Sequence, residues 1–272
     1  MSQSIKSVVQ LLLVLVLAVP ATAQDAGIDV EQLSKKAANP LADLISLPLQ
    51  NNTNFGLGPY DRVNNVLNIQ PVVPFADGRI ITRTIMPIVW IPDVTAESGM
   101  RSSGLGDILF TAFYAPPTSG FIWGVGAALE LPTGGSDRGT QKWSLGPSLV
   151  GLYQPGNWTL GALWNHTWSI AGESEREDVN KTFINLFLVY QLGGGLYVNS
   201  APIITANWKA DEGQKWIVPL GAGLGKVAKI GRLPVNTQVG AYANVVKPDI
   251  GPDWQFRVQV QFFLPKPGAA NG

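Results

Sequence analysis

Few residues in this sequence could do acid–base or nucleophilic chemistry. The one histidine, His166, has Asn165 and Ser169 close by, and these are the residue types of a serine esterase. A nucleophile must lie within hydrogen-bond reach of its base. In an extended chain, His166 shares a face with Trp164 and Trp168, whereas Ser169 has the opposite parity. The spacing therefore argues against a catalytic pair, and we expect no catalytic residue.

Composition excludes several further classes of protein. Lys and Arg number 19 and so do Asp and Glu, which leaves no basic footprint for nucleic acid. The absence of cysteine excludes disulfide frameworks, thiolate zinc sites and iron–sulfur clusters. One histidine cannot supply a poly-histidine metal site, so we expect neither metal nor cofactor. The charged fraction of 14% is low, because soluble domains average roughly 25%.

Alternation with a period of two predicts twelve strands. In 254–264 the even positions are apolar, and the odd positions from 255 to 261 are Gln or Arg. A strand places these two sets on opposite faces. Most of the predicted strands exceed the roughly 9–11 residues that cross a bilayer at a tilt. They lie near 42–53, 63–74, 78–90, 104–115, 120–131, 143–153, 157–169, 180–192, 195–208, 215–226, 233–245 and 254–265.

Short and long connections alternate between these strands, and the long ones carry most of the charge. Short periplasmic turns and longer external loops are typical of bacterial outer-membrane barrels. The tryptophans share the apolar parity and predict two aromatic belts at the membrane boundaries. The belt residues are Trp90, Trp143, Trp168, Trp208, Trp216 and Trp254 beside long loops, and Trp123 and Trp158 beside short turns. His166 is then an interfacial side chain that hydrogen-bonds a lipid headgroup or a neighbouring strand.

The N-terminus has the pattern of a cleaved secretory signal peptide. Lys6 is followed by an apolar run, and the small residues Ala21 and Ala23 precede Gln24. We expect a signal peptide at 1–23, an N-terminal periplasmic segment or plug at 24–40, a β-barrel at 41–266 and a C-terminal tail at 267–272. For residues 25–40 the sequence leaves three alternatives, which are a short periplasmic helix, a plug in the lumen and a disordered leader.

The opposite parity predicts the side chains that line the lumen. Amides outnumber charges among them, and phenylalanines are interleaved. This mixture suits a narrow pore or a pocket for an amphiphilic solute, and plain filling of the interior is the alternative. The predicted residues are Asn64, Asn68, Gln70, Arg83, Asp107, Phe113, Glu130, Asn165, Phe183, Asn185, Phe187, Asn236, Gln238, Arg257, Gln259 and Gln261.

Asp107 and Glu130 lie on adjacent strands of one predicted hairpin, both inward and both near the outer mouth. Two close carboxylates raise one pKa or recruit a cation. They could bind Ca²⁺, steer a cationic solute, or pair with Arg101, Arg138 or Lys142, and pairing is the favoured interpretation. Our hypothesis is that the two carboxylates mark the outer gate.

Several stretches resemble one known family. They are Asn39-Pro40-Leu41-Ala42, Pro48-Leu49-Gln50, Leu67-Asn68-Ile69-Gln70-Pro71, Ser103-Gly104-Leu105-Gly106-Asp107-Ile108, Lys142-Trp143-Ser144-Leu145-Gly146-Pro147, Asn165-His166-Thr167-Trp168-Ser169, Asp178-Val179-Asn180 and Trp216-Ile217-Val218-Pro219. The chain is similar to the outer-membrane transporters grouped as "MetA-pathway of phenol degradation", some of which carry the name neuromedin U. The resemblance covers nearly all of the chain after residue 24. It implies an outer-membrane barrel that passes aromatic or other hydrophobic compounds, and it carries over no catalytic residue.

Together these patterns predict an all-β fold, a closed antiparallel transmembrane outer-membrane β-barrel of about twelve strands. Closure is required because lipid offers no partner to an exposed sheet edge. We expect an outer-membrane channel or transporter for passive or facilitated uptake of small solutes, aromatic or hydrophobic ones among them. Its expected partners are outer-membrane lipids and the solute. The alternatives are a structural or adhesin-like barrel with a filled lumen and an outer-membrane lipid-modifying enzyme.

Overall fold

Strands make up nearly all of the regular structure. The computed structural model describes residues 30–231 and 233–265, and within them lie two short helices, α1 (Val30–Ala37) and α2 (Gly135–Arg138). No helix in this part of the chain has the length and apolar character needed to span a membrane. The strands are β1 (Ile45–Leu57), β2 (Arg62–Ile69), β3 (Val72–Phe75), β4 (Ile80–Pro92), β5 (Met100–Leu105), β6 (Ile108–Tyr114), β7 (Phe121–Leu131), β8 (Lys142–Tyr153), β9 (Trp158–Gly172), β10 (Asn180–Gly193), β11 (Leu196–Ser200), β12 (Ile203–Asn207), β13 (Trp216–Ile230), β14 (Leu233–Val246) and β15 (Trp254–Leu264).

These segments form twelve antiparallel strands, because three of the predicted strands are each interrupted once. β2 continues as β3, β5 as β6, and β11 as β12. Two of the three breaks contain a proline, Pro71 and Pro202, which cannot donate to the ladder. The neighbouring strands still bond across both breaks, since the amides of Thr84 and Leu186 donate to the carbonyls of Pro71 and Pro202, each at 3.1 Å.

The first and last strands close the ring. β1 pairs with β15 from Ile45 opposite Leu264 to Phe55 opposite Trp254. Every other strand pairs with its neighbours in chain order, and β9 pairs with β10. The predicted closed twelve-stranded antiparallel barrel is therefore confirmed. Closure removes the free edge that lipid would otherwise leave without hydrogen-bond partners.

The described part of the N-terminal segment, residues 30–44, lies inside the barrel. Leu33 of α1 packs on inward-facing Val189, Tyr197, Val227 and Phe263. These residues lie towards the end of the barrel that carries the short turns, hereafter the short-turn end. A helix of eight residues is marginal in water, so this packing, more than helix propensity, holds α1 in place.

Polar contacts fix the same segment. Ser34 Oγ donates to Gln191 Oε1 at 2.6 Å, and Gln154 Nε2 donates to the carbonyl of Lys35 at 3.0 Å. Leu41 then joins a second apolar cluster with Ile81, Phe113 and further residues of the wall. The segment is thus anchored in two separate clusters of the inner wall.

Some predicted boundaries concern residues outside the described part of the chain. The signal peptide 1–23, its cleavage residues Ala21, Ala23 and Gln24, and the tail 267–272 all lie there. The barrel itself is described to Pro265. β1 begins at Ile45, three residues later than predicted, because residues 42–44 belong to the N-terminal segment.

Candidate functional site

The outward face carries the tryptophans. Seven of the eight predicted belt residues are exposed, with 37–46% of their surface accessible, and they are Trp90, Trp123, Trp143, Trp158, Trp168, Trp208 and Trp254. Trp216 is half-buried and packs edge-on against Trp208, with ring centroids 5.4 Å apart. Phe55 stacks on Trp254 at 4.2 Å. Contact of this aromatic surface with lipid stays a prediction.

His166 and Ser169 bind different partners. His166 Nδ1 forms a 2.7 Å hydrogen bond with Thr182 Oγ1 on the neighbouring strand, and Trp208 Nε1 donates to the same hydroxyl at 2.8 Å. Ser169 Oγ donates to Asp178 Oδ1 at 3.1 Å. The only imidazole of the chain therefore hydrogen-bonds to a threonine hydroxyl, and Ser169 hydrogen-bonds to an aspartate, so the two do not form a base–nucleophile pair. This bond to a neighbouring strand is one of the two contacts expected for an interfacial histidine.

Asp107 and Glu130 make separate contacts. The Asp107 carboxylate accepts hydrogen bonds from the backbone amides of Gly134 and Thr140, at 3.0 and 2.6 Å, and from the Thr140 hydroxyl at 2.9 Å. It therefore braces the loop that follows β7. Glu130 Oε1 accepts from Lys181 Nζ at 2.6 Å, across from β10. The two carboxylates do not act as one pair.

The cations expected to neutralise those carboxylates are also bound elsewhere, so the predicted pairing was wrong. Arg138 Nη1 donates to Ser102 Oγ at 2.8 Å. Arg101 lies 3.6 Å from Asp137, and Lys142 lies 3.3 Å from Asp178. The Lys142 ammonium, followed by the Ser169 hydroxyl, holds the pKa of the Asp178 carboxyl below its usual range. These pairs tie the long loops to one another.

An outer cavity of about 450 Å³ lies towards the long-loop end of the lumen. It is defined by Leu109, Glu130, Asn165, Lys181, Phe183 and Ile217. Three predicted lumen residues, Glu130, Asn165 and Phe183, are among them. Its charged residues are the Glu130–Lys181 ion pair and Lys215, and the rest of the lining mixes apolar, hydroxyl and amide groups. Such a lining accepts a small amphiphilic molecule.

An inner cavity of about 160 Å³ lies deeper in the lumen, against the N-terminal segment. Lys36, Asn39 and Pro40 form part of its lining. Nine predicted lumen residues line the remaining wall, and they are Gln70, Arg83, Asn185, Phe187, Asn236, Gln238, Arg257, Gln259 and Gln261.

Four predicted lumen residues line neither cavity. Asp107 braces a loop, and Phe113 lies in the apolar cluster around Leu41. Asn64 Oδ1 accepts from Asn54 Nδ2 at 2.6 Å, and Asn68 lies opposite Gln50.

Two arginines are held by the amides of the inner cavity and its surroundings. Arg257 donates through Nε to Asn52 Oδ1 at 3.1 Å, through Nη1 to the Ala201 carbonyl at 2.7 Å and through Nη2 to Gln255 Oε1 at 2.9 Å. Its guanidinium also lies 4.6 Å from the centre of the Tyr242 ring.

Arg83 has a different set of contacts. Its Nη2 donates to Gln70 Oε1, and its remaining N–H groups have no hydrogen bond within the described residues. Gln50 and Asn52 were missed as lumen residues, although alternation from Ser46 onwards gives them inward parity. In the described part of the chain, no three of His, Cys, Asp and Glu cluster in a way that could hold a metal ion.

Comparisons with known proteins agree with this architecture. The family model described as "Putative MetA-pathway of phenol degradation" matches residues 61–196. The COG4313 outer membrane channel from Pseudomonas putida F1 superposes with a TM-score of 0.57 at 15% identity, over 81% of this chain and 94% of that one. A NanC porin superposes with a TM-score of 0.53 at 8% identity, over 80% of this chain and 99% of the porin. These structural similarities establish a shared fold. No curated protein matches the sequence.

Proposed function

This chain belongs to that phenol-degradation family, and from its membership and its barrel we propose that it is an outer-membrane channel for small solutes. The proposal rests chiefly on one observation, the presence of two cavities inside the barrel and of polar side chains around them. Two proteins of the same fold, named as a channel and as a porin, support it. Binding and permeation are then the whole mechanism, without a covalent step.

The sizes of the two cavities favour a narrow path over a general pore. A solute enters the outer cavity first, where Phe183 and Leu109 contact its apolar part and the Glu130–Lys181 pair offers polar groups. The smaller inner cavity follows, and the N-terminal segment restricts it. We propose that small aromatic or otherwise amphiphilic compounds pass, and that movement of α1 widens the exit at the short-turn end.

A structural barrel with a filled lumen is the second candidate. The observation in its favour is the packing of Leu33 and Leu41 into two separate apolar clusters of the wall. In that case the N-terminal segment is a permanent plug and no solute passes. The two candidates differ in whether α1 moves in the folded protein.

Single-channel conductance with a reversible cross-link separates them. The chain has no cysteine, so Ser34→Cys and Gln191→Cys give one reactive pair where the two native side chains hydrogen-bond. A short bis-methanethiosulfonate reagent would join them, and a reductant would release them. A channel should show discrete current steps in a planar bilayer that disappear on cross-linking and return on reduction. The single variant Ser34→Cys with the same reagent is the control. Silence from correctly folded, uncross-linked protein would establish the filled barrel instead.

We also propose export to the bacterial outer membrane through a cleaved signal peptide. The pattern that ends at Ala23 supports cleavage, and the closed barrel with exposed tryptophans supports residence in lipid. The intact mass of protein purified from outer-membrane fractions should correspond to a chain that begins at Gln24. A mass that retains residues 1–23 would contradict the cleavage.

A further inference from the structure

The described residues that line the inner cavity carry an unbalanced positive charge. Three cationic residues, Lys36, Arg83 and Arg257, line it, and among the described residues of its lining none is an aspartate or a glutamate. Within residues 30–231 and 233–265, neither arginine forms an ion pair. The outer cavity differs because it contains a carboxylate, Glu130, which pairs with Lys181 at 2.6 Å and leaves Lys215 as its one further cation among the described residues.

The two arginines have different capacities to bind a ligand. A guanidinium has five N–H donors and no acceptor. Arg257 is nearly fully buried, and three of its donors are engaged. Arg83 is half-buried and engages one donor, towards Gln70. Arg257 is therefore a fixed positive charge in the wall, whereas Arg83 can offer further donors to a molecule in the cavity.

A charge removed from water needs an opposite charge or a set of hydrogen bonds to offset its lost hydration. The amides around Arg83 and Arg257 supply hydrogen bonds but no negative charge. An anion in the cavity would supply that charge, and the interaction is strengthened because the surroundings screen it less than water does. The planar fork of arginine matches a carboxylate, which it binds with two parallel hydrogen bonds.

The remaining lining indicates what else the anion carries. Val72, Phe187 and Phe263 give the cavity apolar surface beside the arginines. Its volume of about 160 Å³ is similar to that of a cavity that holds one benzene ring. We propose that the inner cavity is a selectivity site for small organic carboxylates, in which Arg83 binds the carboxylate, Arg257 supports it as a fixed charge and the apolar wall contacts a single ring or short chain.

This assignment rests on the proposed channel function, and its test keeps the two apart. The first measurement is the reversal potential of the refolded protein in a planar bilayer under a KCl gradient. The second is block of that current by benzoate, with benzyl alcohol as the uncharged probe of similar shape. We expect the sign of the reversal potential to show that chloride passes more readily than potassium. We also expect benzoate to block the current at concentrations at which benzyl alcohol has no effect.

Variants at Arg83 locate the effect. Arg83→Gln should raise the half-blocking benzoate concentration by about tenfold, as expected for the loss of a charge-assisted hydrogen bond. Arg83→Lys keeps the charge without the fork, so it should keep the chloride preference and bind benzoate more weakly than the native protein. Arg79→Gln makes the same change at an exposed turn position and is the matched control. Equal block in Arg83→Gln, equal block by benzyl alcohol, or a cation preference would each overturn the proposal.

A binding measurement covers the case in which no current is seen. Benzoate should raise the thermal unfolding temperature of the detergent-solubilised barrel, and this shift should be absent in Arg83→Gln. A silent barrel that keeps this shift would refute the channel and leave the carboxylate site standing. A conducting barrel that shows neither the shift nor chloride preference would refute the site and leave the channel standing.

Discussion

Leu33→Ala should release α1 from the barrel wall without unfolding the barrel. Leu33 is 7% exposed and packs among Val189, Tyr197, Val227 and Phe263. Truncation of a buried leucine to alanine costs about 2–5 kcal/mol. We take the lower end, about 2 kcal/mol, because α1 borders the inner cavity and the site can relax. Since every 1.4 kcal/mol is tenfold, the ratio of docked to undocked α1 should fall by about 30-fold.

The assay is single-channel recording of the refolded variant beside the native protein. If α1 restricts the path, the open probability should rise by about the same factor until it saturates, while the size of each current step stays unchanged. Leu188→Ala is the control, because it makes the same truncation on the outward face of β10, where the side chain is 43% exposed. The reasoning is refuted if Leu33→Ala and Leu188→Ala have the same open probability in barrels that resist unfolding equally.

Two further predictions concern the stability of the barrel. The pKa of Asp178 is lowered in the folded protein by Lys142, so its contribution to stability is present above the unfolded pKa of about 3.9 and is lost as the pH falls through the folded pKa. Asp178→Asn should therefore have a lower unfolding temperature than the native protein at pH 7 and the same unfolding temperature at about pH 2. If the two proteins differed by the same amount at both pH values, the result would contradict the ion pair. Outward-facing Asn51 and Asn65 exchange two amide hydrogen bonds, at 2.8 and 3.0 Å. The double change to leucine should leave folding into lipid vesicles as favourable as before or more so. The single change Asn51→Leu should be the least stable of the three proteins, because Asn65 Oδ1 loses its donor and Asn65 Nδ2 keeps only its bond to Thr53 Oγ1. Additive effects would refute this.

The barrel could be predicted from the sequence because lipid imposes a simple rule on every strand. Along each strand, apolar side chains that face lipid must alternate with side chains that face the lumen. Parity alone therefore predicts that Arg83, Gln238 and Arg257 face the lumen. The same parity applies to Gln50 and Asn52, which could have been found in β1. The breaks within strands were not predicted, although Pro71 and Pro202 each signal the loss of a ladder donor.

Contacts between distant segments could not be predicted in this way. Asp107 bonds to a loop that returns from β7, and Glu130 bonds to Lys181 from β10, three strands further around the ring. Parity gives the face of a residue but not its partner across the lumen. The position of α1 could not be predicted for the same reason. An eight-residue helix carries no local signal for the part of the wall on which its one leucine packs.

The N-terminal segment couples the docking of α1 to the binding of a carboxylate in the inner cavity. The helix that restricts the short-turn end also brings Lys36 to the inner cavity, beside the two arginines. A carboxylate in that cavity interacts with Lys36 when α1 is docked and loses this contact when α1 leaves. The ligand must then favour the docked state by the ratio of its affinities for the two states. By the same linkage, undocking of α1 must lower the affinity of the cavity for the ligand by an equal factor. A solute that binds tightly would therefore keep α1 docked and the exit at the short-turn end closed. Efficient passage requires that the carboxylate binds Arg83 only briefly. It also requires that the contacts of α1 and Leu41 with the barrel wall are weak enough for the N-terminal segment to move.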